Sequence, residues 1–263
     1  MHLELYSGAG NRFLLFEDDG RERDWPRLAR GLCALAAFPE GPADGLLVVD
    51  RGCTPARMTS YNPDGTLPEA CGNGLRCIAW HLLRTGSPSP LRVMAVAGER
   101  WAELIHSDGP VAELFTSMGE ALVEPLSSGL PAVPGLLGAH AVHVGNPHAV
   151  LRVEDERDLE LGGPSAALSA HPAFPGGVNV GFLALRDGGW HLRVHERGVG
   201  ETDGCGTGAV AAAATLSDLG QAEAVIRMPG GPLRVRRDRT GELCLAGGAV
   251  WLGPLECEEP WAT

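Results

Sequence analysis

The sequence predicts an α+β protein of two pseudo-symmetric domains, each a curved, mainly antiparallel sheet wrapped around a central helix, with an active site in the cleft between them. Three observations carry this expectation. Cys71 opens the segment C-G-N-G-L-R-C-I-A-W-H-L-L and Cys205 opens C-G-T-G-A-V-A-A-A-A-T-L-S, so a glycine-rich turn running into a helix occurs twice, half a chain apart. Gly10-Asn11 and Gly145-Asn146 each precede an apolar strand and an acidic turn, at Glu17 to Asp19 and at Glu154-Asp155. Alternating stretches (Ala56 to Tyr61, His191 to His195) precede both cysteines, and β-like runs ending at Gly98 and at Gly230-Gly231 follow both helices. Self-similarity at a fixed spacing marks a duplicated unit.

In chain order, each copy reads as an apolar strand, an alternating strand, the helix, and a further strand ending in glycine. Gly86 stops the first helix and Gly220 the second, as glycine past a helix end commonly does. The second helix, with Ala209 and Ala211 to Ala214, is apolar on nearly every face, the pattern of a buried helix. The first repeat is expected to span 1–117 and the second 118–250, with 251–263 returning to the first.

Composition narrows the function. The net charge is −12, with 44% hydrophobic and 21% charged residues, ordinary for a globular chain. No basic stripe is present to neutralise phosphates, so nucleic acid is not an expected partner. No apolar run approaches the ~18–20 residues of a membrane span. Glu17, Asp18 and Asp19 interrupt the region where a secretory leader would be apolar. A cytoplasmic protein with no membrane partner is the expectation.

Two scarcities are more telling. All 21 basic side chains are arginine, so no lysine exists to form a Schiff base with pyridoxal phosphate or to complete a Walker-type phosphate loop. The amides are few as well: Gln221 and five asparagines, Asn11, Asn62, Asn73, Asn146 and Asn179. Asparagine ordinarily serves turns. Here all five fall in the segments singled out on other grounds, which favours ligand roles.

The seven cysteines are odd in number and no two stand two residues apart, so neither a disulfide framework nor a zinc site is expected. His140, His143 and His148 do not match a helical metalloprotease motif. No metal and no cofactor are expected. Cys33, Cys53, Cys77, Cys244 and Cys257 read as structural, since lone cysteines are usually buried packing.

Cys71 and Cys205 differ because their context repeats. The first turn of a helix offers unpaired N–H groups and a partial positive charge. A thiol placed there is expected to have its pKa lowered from about 8.5, and the same N–H groups cradle a carboxylate. Inverting an α-carbon needs one base on one face and one acid on the other, with the developing charge held at the carboxylate. Two such cysteines, titrating as a coupled pair, supply that.

Several motifs in order resemble the diaminopimelate epimerase family along nearly the whole chain. They are Ser7-Gly-Ala-Gly-Asn11, Tyr61-Asn-Pro-Asp-Gly65, Glu69-Ala-Cys-Gly-Asn-Gly74, Met118-Gly119, Val144-Gly-Asn-Pro-His148, His171 with Phe174-Pro175 leading to Asn179-Val180, and His195-Glu-Arg-Gly-Val-Gly-Glu-Thr202 running to Cys205-Gly-Thr-Gly208. The resemblance implies a catalytic pair at Cys71 and Cys205, interconverting LL- and meso-diaminopimelate for lysine and cell-wall precursor synthesis. It implies that Gly72, Asn73, Gly206 and Thr207 hold the α-carboxylate and that Asn11 lines the reacting end. Asn62, Asn146, Asn179, Glu196 and Arg197 would hold the distal amino-acid group, and His148 and Glu196 would tune the sulfurs. The partner implied is a small diamino dicarboxylate substrate, and a homodimer is the one protein association expected.

The chain departs from the family at Phe38-Pro-Glu-Gly-Pro-Ala-Asp-Gly45, where Pro42 replaces a glycine and Gly45 occupies a position that can be glutamine. A related two-cysteine racemase acting on another amino acid, such as histidine, is therefore a rival, as is a non-catalytic binding protein on the same scaffold. An isomerase of this fold without the cysteine pair is disfavoured by the presence of both sulfurs.

Overall fold

The computed structural model describes residues 1–35, 41–68, 71–96, 98–216, 223–238 and 241–257. The chain divides into two compact units, Met1–Thr116 with the chain from Ala246 onward, and Ser117–Leu245. No helix among the described residues is long and apolar enough to cross a membrane.

In the first unit, β1 (His2–Gly8) and β2 (Asn11–Glu17) form a hairpin whose last pair is Gly8 with Asn11. Its two turn residues, Ala9 and Gly10, both have positive φ, 49° and 87°, as a two-residue hairpin turn demands. Helix α1 (Trp25–Cys33) crosses to β3 (Gly45–Asp50), parallel to β2, and β4 (Ala56–Tyr61) returns antiparallel. Helix α2 (Gly72–Arg84) then crosses to β5 (Leu91–Ala95), parallel to β4, followed by antiparallel β6 (Gly98–Asp108) and β7 (Val111–Gly119).

The second unit repeats that grammar. After β8 (Leu122–Pro125), strands β9 (Leu136–His143) and β10 (Pro147–Val153) pair antiparallel. Helix α3 (Gly162–Ser169) crosses to β11 (Asn179–Arg186), parallel to β10, and β12 (Gly189–Glu196) returns antiparallel, with short β13 (Gly200–Thr202) on it. Helix α4 (Gly206–Ala214) crosses to β14 (Glu223–Met228), parallel to β12, and β15 (Gly231–Arg237) follows antiparallel. Strand β16 (Leu243–Glu256) starts against β15 and ends against β1, where it also neighbours β7 and closes the strands of the first unit into a barrel. The fold is α+β, with sheets antiparallel except for the two parallel pairs that each unit spans with a helix.

The two crossover helices lie against opposite faces of each sheet. Nine consecutive residues of α2, Gly74 to Leu82, are buried, and Leu75, Ile78, Ala79 and Leu82 pack with Tyr6, Phe13, Leu47 and Leu114 from the strands. Helix α1 closes a separate core with Leu3, Leu14, Leu46 and Val48 on the other face. In the second unit α4 and α3 divide the sheet in the same way. Ala209 and Ala211 to Ala213 of α4 are fully buried, so the strands approach that helix to the limit a methyl side chain permits. Helix α2 ends at Arg84, capped by Thr85 and followed by Gly86 at φ 105°; Gly220 lies outside the described residues.

This close approach makes α4 intolerant of size. Ala212→Leu is expected to lower unfolding free energy by about 1–3 kcal/mol through overpacking, measured by urea denaturation. An unchanged midpoint would show room around α4 that the packing denies.

Candidate active site

Cys71 and Cys205 occupy the same place in the two units, the residue that caps α2 and the residue that caps α4. Both have non-helical backbones of similar φ, −138° and −134°. The first intrahelical bonds run from Leu75 N to Cys71 O and from Ala209 N to Cys205 O, each 2.9 Å. The amides of Gly72, Asn73, Gly206 and Thr207 therefore have no helix carbonyl to bond, and they lie beside the sulfurs. The second glycine of each motif has a steric cause. A Cβ on Gly74 would stand 2.6 Å from Cys71 Sγ, and one on Gly208 3.2 Å from Cys205 Sγ. At Gly74 a Cβ would force the sulfur off the helix end, and at Gly208 it would crowd it.

The helix start does not leave either thiol acidic, contrary to the expectation from sequence. Burial pushes the Cys71 thiol up, against a Gly74 N–H, the Ser60 hydroxyl and the Arg76 charge, which favour thiolate. Cys205 is pushed up to about 11, first by burial and then by the charge of Glu196, with the Thr207 hydroxyl and Gly208 N–H opposing. Loss of hydration outweighs the helix terminus at both sites.

The second unit gathers most of the predicted ligands. Glu196, at the end of β12, accepts from the Cys205 thiol at 3.3 Å through Oε2 and from the Thr202 hydroxyl at 2.7 Å through Oε1. Gly208 N–H donates to Cys205 Sγ at 3.3 Å, and Thr207 Oγ1 lies 3.5 Å from the same sulfur. Behind them His148, 1% exposed, places Nε2 3.1 Å from Asn146 Oδ1, and Asn146 Nδ2 reaches Thr207 Oγ1 at 3.5 Å. Burial lowers His148 to about 4, so its ring is neutral at pH 7 and Nε2–H donates. His148 reaches Cys205 through Asn146 and Thr207 rather than by contact. Asn179 is tied at both ends of its amide, donating to Pro147 O at 3.1 Å and accepting from Arg197 N at 3.0 Å. The exposed Arg197 guanidinium lies along Gly176 and Gly177, donating to Gly176 O at 2.8 Å.

The first unit holds Cys71, Gly72, Asn73, Asn11 and Asn62. Asn73 Nδ2 donates to Asn11 Oδ1 at 2.7 Å, joining the helix start to the β1–β2 hairpin. Gly8 permits that approach, since a Cβ there would meet Asn73 O at 2.9 Å. Asp44 fastens the hairpin by accepting from Arg12 N at 2.7 Å. Asn62 forms a turn with Thr66, through its backbone at 2.8 Å and its side chain at 2.9 Å. Gly45 opens β3 beneath Tyr61, whose carbonyl a Cβ would meet at 2.9 Å; the glycine there has a packing reason. Of the departing segment, residues 38–40 lie outside the described residues, as does Glu69.

The remaining cysteines differ in setting. Cys33, Cys77 and Cys244 are buried in the cores, Cys257 is half-buried, and Cys53 donates to Asp50 at 3.0 Å. Among the described residues no cluster of histidine, cysteine or acidic side chains is arranged to hold a metal. Sequence reasoning missed Thr202, Ser60 and Arg76. Only Arg76 carried a signal, a charge inside an otherwise apolar helix.

The same fold occurs in a phenazine biosynthesis protein of the PhzF family from Bacillus anthracis, with a TM-score of 0.68 at 14% identity, covering 98% of this chain and 99% of that one. In class the chain is an epimerase independent of pyridoxal phosphate, for which it lacks the lysine. Residues 140–252 match the family model described as diaminopimelate epimerase. The diaminopimelate epimerase of Desulforapulum autotrophicum is 33% identical over 88% of this chain and 89% of its own length. That of Desulfitobacterium hafniense is 32% identical over 96% of each. The chain belongs to the diaminopimelate epimerase family.

The Glu196 contact makes a pH prediction. A carboxylate beside a thiol disfavours thiolate, so Glu196→Gln should lower the Cys205 titration from about 11. Peptide-resolved alkylation by iodoacetamide across pH measures it. A midpoint that stays or rises would contradict the charge contact.

Proposed function

We propose that the protein interconverts LL- and meso-2,6-diaminopimelate without a cofactor, Cys71 and Cys205 acting as a thiolate–thiol pair on the two faces of one α-carbon. The observation that supports this best is the placement of one cysteine at each duplicated helix start, in a chain of this family. The Cys71 thiolate removes the α-proton of the LL isomer. As the C–H bond breaks, charge spreads into the α-carboxylate, held by the N–H groups of Gly72, Asn73, Gly206 and Thr207. The Cys205 thiol delivers its proton to the opposite face, leaving Cys71 as thiol and Cys205 as thiolate, the arrangement needed for the reverse direction.

Burial assists the reaction. A thiol whose pKa is raised gives, once ionised, a thiolate more basic than one in water, closer to what abstraction of an α-proton requires. The Thr207 hydroxyl and Gly208 N–H are placed to receive the charge when Cys205 ionises. Asn11 serves the reacting end of the substrate. The distal amino-acid group falls to Asn62, Asn146, Asn179, Glu196 and Arg197, with the guanidinium suited to a carboxylate. His148 tunes Cys205 through Asn146. The reading carries with it a cytoplasmic, homodimeric enzyme of lysine and cell-wall precursor synthesis, and no metal.

Pure protein incubated with LL-diaminopimelate in deuterated water, without added cofactor or metal, should form the meso isomer and incorporate solvent deuterium at the α-carbon. Cys71→Ala and Cys205→Ala should each reduce the rate by roughly 10²–10⁴-fold or more, and Cys53→Ala should leave it unchanged. Faster turnover of histidine than of diaminopimelate would replace the substrate, and absence of exchange with any diamino acid would leave binding alone.

A further inference from the structure

Arg76 is the one charged side chain within the buried stretch of α2, 2% exposed. Its Nη2 donates to Asn73 Oδ1, while Nε and Nη1 are buried with no hydrogen-bond partner. Among the described residues no carboxylate pairs with it. The titratable groups that face it are Cys71 and Cys77, both from the same helix segment. Those facing Cys71 in its unit are Arg76 and Cys77, with the Ser60 hydroxyl from β4. A buried cation left without a counter-charge is costly. The fold nevertheless makes room for it: a Cβ on Gly247 of β16 would lie 2.6 Å from Arg76 Nε.

The duplication sharpens the point. Counting from each cysteine, Arg76 of the first repeat corresponds to Val210 of the second. Where the second repeat has an apolar residue, it sets a carboxylate, Glu196, against its sulfur. One sulfur thus faces a positive group and the other a negative one.

Donor chemistry extends the reach of Arg76. A guanidinium only donates, so the atom of Asn73 that meets it is Oδ1, and the Asn73 NH₂ must turn toward Asn11. The atom of Asn11 that accepts is then Oδ1, which leaves the Asn11 NH₂ as a donor for an acceptor outside the protein. One buried guanidinium fixes the orientation of two amides that could otherwise flip.

We infer that Arg76 is the positioning residue of the first half-site: it sets the Asn73–Asn11 pair as a donor array, thereby selects a carboxylate at the reacting end, and puts a positive charge near Cys71 that eases ionisation of that thiol relative to Cys205. The inference rests on the reading of Cys71 as a reacting group, and its test uses no amino-acid substrate.

The rate of Cys71 alkylation by iodoacetamide is followed across pH in the free enzyme, resolved by peptide mass spectrometry. Arg76→Met should raise the midpoint for Cys71 by roughly one pH unit or more, the size expected from losing a nearby opposite charge, and leave that of Cys205 in place. Arg76→Lys, which keeps the charge, should restore most of the shift. Gly247→Ala, which leaves every polar group present and presses only on the guanidinium, should move the midpoint in the same direction by less. An unchanged midpoint in Arg76→Met, or equal shifts in the Lys and Met variants, would overturn the inference and assign Arg76 to packing. Absence of diaminopimelate turnover in the unsubstituted enzyme, with the midpoint shifts as expected, would instead bear on the proposed reaction alone.

Discussion

The structure depends on starting a buried helix with an unpaired end. In each unit the crossover helix between two parallel strands is covered by the sheet, so its first N–H groups cannot all be left to bulk water. The local solution is a cysteine cap followed by Gly-x-Gly. The glycines let the sulfur and the neighbouring hairpin close over the helix end, and the sulfur takes one of the loose N–H groups. The remaining donors want an anion. In the proposed reaction a carboxylate would meet that need, and the same groups would hold the charge that develops when the α-proton leaves.

Duplication gives two such ends, and the two are not equivalent. Cys205 shares its proton with Glu196, which is held by Thr202; Cys71 has Arg76 behind it. A pair of identical thiols would have no preference for where the single proton resides. In the proposed mechanism a carboxylate at one and a guanidinium at the other would supply that preference, using side chains at positions where the repeats have diverged.

Much of this could be read from the sequence because the relevant signals are local. The two Cys-Gly-x-Gly turns, the alternating stretches that became β4 and β12, and the apolar helices are all short-range patterns, and the alanine run of α4 announced a buried helix directly. The asparagines were visible through scarcity. What the sequence hid was everything set by burial. The helix-terminus argument lowered both thiols, but desolvation depends on what the folded strands cover, and it reverses the sign at Cys71 and Cys205 alike. The indirect route from His148 through Asn146 and Thr207 to Cys205 needs coordinates for the same reason, since those residues are distant along the chain.

Arg76 shows where sequence reading and structure meet. In the string G-L-R-C-I-A-W the arginine is a single charge among apolar neighbours. Its burial turns it into an electrostatic statement, because an ion held in low dielectric without a partner persists only if something compensates it. Within the first unit, the groups able to do so are the Cys71 sulfur and, through Asn73 and Asn11, a bound carboxylate. Divergence from Val210 at the matching position therefore bears on chemistry rather than on packing, since an apolar residue would have filled the same helix face at less cost.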